Sequence, residues 1–99
     1  MKNHKTYRLT VSSPMGDQVS ELHLSEDGKE LSGAMTKGAD TAKIENGKVD
    51  GDTLSWQMPI ERPMPMRLHF SGTRTKEIIT GKVKFGMFAK GTFEAIRHR

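Results

Sequence analysis

Glu26-Asp27-Gly28-Lys29-Glu30-Leu31-Ser32-Gly33 is the stretch whose reading decides the fold. Asp-Gly between two runs of alternating polarity is a strong β-hairpin signal, because glycine takes the left-handed backbone conformation that tight hairpin turns need. Upstream, Leu22 and Leu24 alternate with Glu21 and His23; downstream, Leu31, Gly33 and Met35 occupy every second place. A period of two sends one set of side chains to a core and the other to water. The same phrase returns at Asn46-Gly47-Lys48-Val49-Asp50-Gly51-Asp52-Thr53-Leu54 and, more loosely, at Thr73-Arg74-Thr75-Lys76-Glu77-Ile78-Ile79-Thr80-Gly81. The chain therefore reads as an antiparallel meander.

Working outward, Tyr7, Leu9 and Val11 mark the inner face of a first strand, which Ser13-Pro14-Met15-Gly16 ends. Val19 to Ser25 is the second strand and the run through Met35 the third. A weaker fourth spans Ala42 to Val49, with Gly47 as a bulge or bend. Leu54, Trp56 and Met58 define the clearest strand of the chain. Pro59-Ile60-Glu61-Arg62-Pro63-Met64-Pro65 is expected to be an irregular loop, since each proline removes a backbone donor. Met66, Leu68 and Phe70, then Ile79 to Phe85, then Gly91, Phe93 and Ala95 supply three more inner faces. That makes about eight strands and no helix. An open sheet of that size would leave an apolar face bare, so closure into an up-and-down barrel is expected, ahead of a two-sheet sandwich.

The bulk numbers agree with a small all-β domain spanning residues 1–99, with residues 1–5 expected as a mobile tail. The chain has 99 residues, ten glycines, four prolines and no cysteine. Disulfides, thiolate chemistry and Cys-ligated metals are thereby removed. No apolar run approaches the roughly 20 residues that span a bilayer. No apolar segment follows the basic Met1-Lys2-Asn3-His4-Lys5 start either. A cytoplasmic location and no membrane partner are the expectations, with a processed secreted form left open. So small a core is compatible with self-association. Residues 1–50 carry a net charge of −1 and residues 51–99 a net of +5. Nucleic acid is not expected as a partner. Barrels that hold single strands use exposed aromatics interleaved with Lys/Arg, whereas the six aromatics here fall mostly on inner faces.

Several of these segments carry a resemblance. Ser13-Pro14-Met15-Gly16, Asp27-Gly28 to Leu31-Ser32-Gly33, Gly47-Lys48-Val49-Asp50-Gly51-Asp52, Phe70-Ser71-Gly72-Thr73 and Gly91-Thr92-Phe93-Glu94-Ala95-Ile96-Arg97 are similar to motifs of small bacterial domains. The resemblance implies a lipocalin-like or streptavidin-like (calycin-type) barrel. Such domains occur alone or appended to enzymes such as amidohydrolases. The motifs are turn glycines and core positions, so the resemblance implies a fold and no catalytic residue. The chain departs from the pattern at Arg74-Thr75-Lys76, where Gly-Asp-type turn residues are usual.

The container suggests the chemistry. Met35, Met58 and Met66 fall on inner faces with Trp56, Phe70 and Phe93. A flexible, polarizable Met lining adapts to apolar ligands, and Glu61 and Arg62, stiffened by Pro59 and Pro63, are placed to hold a polar head group. These eight residues are the candidate site for a small apolar or amphipathic ligand, bound without catalysis. A cofactor-free enzyme of isomerase, cyclase or hydrolase type is the alternative, drawing on Glu21, His23, Glu61, Arg67, His69 or Glu94. Glu94 qualifies only if a bulge at Gly91 turns it inward. A filled core would instead leave a structural or interaction module. The histidines form no His-x-His or His-x₃-His pair that would suit a metal, and no metal or cofactor is expected.

Overall fold

A computed structural model describes residues 3–14, 16–61, 65–87 and 89–98. Among these described residues nine strands form: β1 (Asn3–Ser13), β2 (Gly16–Asp27), β3 (Glu30–Lys37), β4 (Asp40–Lys43), β5 (Glu45–Asp50), β6 (Thr53–Ile60), β7 (Met66–Thr75), β8 (Ile78–Phe85) and β9 (Ala89–Arg97). Every pairing is antiparallel, and the order β2-β1-β9-β8-β7-β6-β5-β3 is closed by a β2–β3 pairing. The result is an eight-stranded barrel with β4 as an extra strand. Closure leaves β2 and β3 with partners on both sides, which satisfies backbone groups that an open sheet would expose.

The expected fourth strand is divided. β4 pairs with residues 34–37 of β3, and β5 pairs with Glu30 and Leu31 of the same strand. The Ile44 amide bridges the two by donating to the Gly33 carbonyl at 2.9 Å. The irregularity falls between Glu45 and Lys48, and Asn46 takes the left-handed conformation there, with φ of 53°. The bend thus takes in Gly47, as expected, and its left-handed residue is Asn46, a type that tolerates that conformation.

Two other expectations are corrected. Residues 3–5, expected as tail, lengthen β1 and lie opposite residues 24–26 of β2. Pro59 and Ile60, expected in a loop, continue β6 and lie opposite Arg67 and Met66. The Arg74 amide donates to the Asp52 carbonyl on the β7 side, so even-numbered residues of β6 point their backbone groups at β7 and odd-numbered ones at β5 and β4. Pro59 therefore lacks a donor only on the side away from β7.

The core is the inner face of the barrel. Leu9, Leu22, Leu54, Met58, Ile79 and Val83 are fully buried, and no polar or charged side chain among the described residues is. Trp56 and Phe70 lie directly opposite each other and stack at 5.1 Å between ring centroids. Phe93 meets both edge-on, at 5.5 and 5.2 Å. It reaches them across Gly72 and Gly81, a cross-strand pair of inward positions with no side chain. A Cβ on Gly72 would lie 2.9 Å from the Phe93 ring.

Candidate functional site

The two ends of the barrel differ. One is closed by a polar plug. Arg74 of β7 and Glu26 of β2 both follow inward positions of their strands and meet across the barrel in a two-point ion pair, at 2.6 and 3.3 Å. Each is 18% exposed. The Arg74 guanidinium also interacts with the Tyr7 hydroxyl, and the Glu26 carboxylate holds Arg74 in its charged form. Burial pushes the Tyr7 phenol above its usual range, against the opposing pull of Arg74. Paired guanidinium and carboxylate close this end with their hydrogen bonds largely satisfied.

The other end is open. It gathers the ends of β1, β3, β6 and β8 and the starts of β2, β4, β7 and β9. The β5–β6 ladder stops at Glu45 and Gln57, and no pairing joins β4 to β6 among the described residues. Pro59 supplies the reason: on the edge of β6 that faces β4 it has no amide to give. Beside this gap lies a cavity of about 200 Å³. Val11, Met35, Ala42, Met66, Leu68 and Phe85 form its apolar wall. Ser13, Gln18, Lys37 and Glu61 stand at its rim, where the Lys37 ammonium donates to Gln18 Oε1 at 2.7 Å.

The candidate residues divide accordingly. Met35, Glu61 and Met66 line the cavity. Trp56, Met58, Phe70 and Phe93 are buried in the packed middle of the barrel, below it. Arg62 lies outside the described residues, as do Met15, Met64 and Phe88. Trp56, Phe70 and Phe93 pack ring against ring where space is expected from sequence, and the cavity lies nearer the mouth.

The residues considered for catalysis are mostly turned away. His23 is on the outer face, 2.8 Å from Glu21 and within hydrogen-bonding reach of Thr6 Oγ1 at 3.3 Å. Arg67 is held outside by Glu45 at 2.7 Å, and His69 is exposed. The β8–β9 pairing runs unbroken through Gly91, so Glu94 stays exposed opposite Thr80 and Thr10. Among the described residues no cluster of His, Asp and Glu could hold a metal ion, and no helix is long and apolar enough to cross a membrane.

Sequence reading missed the polar rim. Ser13, Gln18 and Ser20 line the cavity and continue the inward positions of Val11 and of Leu22 and Leu24. The signal was present: an inward series that turns from apolar to polar at one end marks where water enters. Val19 was the distraction, being apolar but 53% exposed and out of phase with Leu22 and Leu24.

Comparison with protein-family models, with curated protein sequences and with solved structures finds no match to this chain.

Proposed function

We propose that the open end of the barrel binds a small amphipathic molecule without transforming it. The observation that carries this reading is an apolar cavity with a polar rim at the open end of the barrel, beyond the packed rings of Trp56, Phe70 and Phe93. An apolar stem fits between Met35, Leu68 and Phe85, and a polar head would meet Ser13, Gln18 and Lys37. At about 200 Å³ the cavity falls below the roughly 300 Å³ at which pockets begin to enclose drug-sized molecules, which favours a short chain or a single ring. Met35 and Met66 supply an adaptable wall. The closed eight-stranded meander is compatible with a calycin-type barrel, and we take that as its finer description.

The experiment is a titration followed by amide chemical shifts, using straight-chain carboxylic acids and alcohols of increasing length. Saturable shifts are expected at Val11, Met35, Ala42, Leu68 and Phe85, with the Trp56 indole unmoved. Ala42→Trp, which places a large ring in the cavity, is expected to abolish them while the barrel stays folded. Shifts centred on Trp56, or none that saturate, would overturn the reading and leave an interaction module with a filled core.

A further inference from the structure

The hairpin joining β8 to β9 stands at the open end, and its charges are arranged against its own stability. Lys84 and Lys90 lie directly opposite each other on the outer face. Like charges so placed repel. His69 lies opposite Lys84 on the other side, and Lys82 is two residues along the same outward row. No ion pair of Lys82, Lys84 or Lys90 occurs among the described residues. Between the two lysines, at the tip, Met87 is 100% exposed. The turns at the opposite end are Asp27-Gly28-Lys29-Glu30, Asp50-Gly51-Asp52-Thr53 and Thr75-Lys76-Glu77-Ile78, and only Ile78, at a strand start, is a large apolar residue.

We infer that the β8–β9 tip is a contact site for an anionic lipid surface, with Met87 entering the interface and Lys82, Lys84 and Lys90 meeting the head groups. Charge complementarity argues for the partner: an uncompensated row of lysines beside a negative surface gains attraction at each residue, and the exposed thioether leaves water. Among the described residues the aromatics Tyr7, Trp56, Phe70, Phe85 and Phe93 are all buried, so none of these five offers the stacking platform that single-stranded nucleic acid uses. The expectation of no membrane partner came from the lack of a spanning segment, which a surface contact does not require. Phe85 belongs both to the base of this tip and to the cavity wall, so the contact would set the mouth of the barrel against the lipid.

The test is co-sedimentation of the whole chain with vesicles of phosphatidylcholine alone and of phosphatidylcholine with phosphatidylglycerol, at low and high salt. Binding is expected only to the phosphatidylglycerol vesicles and is expected to fall as salt rises. Lys84→Glu should weaken it at least about tenfold, although it creates a Glu–Lys pair with Lys90 and should raise the melting temperature. Opposite signs in the two measurements separate a lipid contact from a structural role. Met87→Ser should weaken binding with no change in melting temperature. Equal binding to both vesicle types, binding unaffected by Lys84→Glu, no binding at all, or preferential salt-sensitive binding of a single-stranded oligonucleotide would each overturn the inference.

Discussion

Lys76 shows how a single residue carries strain that the sequence already hints at. It occupies the turn between β7 and β8 with φ of 57°. That left-handed conformation costs a residue with a Cβ roughly 1–2 kcal/mol and costs glycine almost nothing. Glycine loses more entropy on folding, about 0.5–1 kcal/mol, so the two effects partly cancel. Lys76→Gly is expected to stabilise the protein by about 0.5–1 kcal/mol, measured by urea denaturation with an unchanged slope. A loss of stability would show that the Lys76 side chain does something the backbone does not. The turn was legible as a weaker copy of the Gly-centred phrase, and the missing glycine marked where it would be strained. The rim residues Ser13, Gln18 and Ser20 were less legible, because a polar residue in an inward position reads as a strand end until its neighbours across the barrel are known.

At the scale of strands, β7, β8 and β9 form a unit in which absence of side chain is as necessary as presence. Gly72 and Gly81 leave a trough that the Phe93 ring fills on its way to Trp56 and Phe70. Gly72→Ala places a methyl 2.9 Å from that ring and close to the Thr80 carbonyl. Overpacking of this kind typically costs about 1–3 kcal/mol. The expected loss is in that range, and Phe93→Leu in the same chain should recover part of it. A coupling below about 0.5 kcal/mol in the double-mutant cycle would mean that the backbone clash at Thr80, not the ring, is the constraint. The sequence showed these glycines as bends. Their packing role needed the register, which sets Gly72 against Gly81 and Gly81 against Phe93. Pro59 is the converse case. Its missing donor argued for a loop, yet the strand continues because the deficit faces the β4 gap, where no partner asks for it.

For the molecule as a whole, the polar plug and the open mouth make the barrel directional. Glu26→Gln removes the charge that Arg74 faces in a partly buried site, and is expected to cost about 1–3 kcal/mol, less than for a fully buried pair because solvent still reaches both groups. Tyr7 gives this end a pH dependence. Its phenol is held above the usual value of about 10, so the folded state keeps its proton after the unfolded chain has begun to lose it. The unfolded state then binds fewer protons, and stability falls as pH rises. The contribution is complete below about pH 10 and is lost as pH climbs from there through the folded-state value. Tyr7 is the only tyrosine and Trp56 the only tryptophan. Phenolate absorbance and indole fluorescence therefore each report one residue, and phenolate is expected to appear together with the loss of native fluorescence. Phenolate formed at about pH 10 in a still-folded chain would show that the plug admits hydroxide freely.

Alternation and turn chemistry by themselves determined that this chain is an antiparallel meander with its aromatic and aliphatic residues on one face, because both are local properties of a strand and its hairpin. They also placed Met35, Glu61 and Met66 among the residues that could meet a ligand. Only the tertiary structure decided where free volume survives, since that depends on which inward side chains share a cross-section. Trp56, Phe70 and Phe93 fill one level of the barrel. Ala42 and Ser13, with the gap that Pro59 leaves beside β4, keep the mouth open.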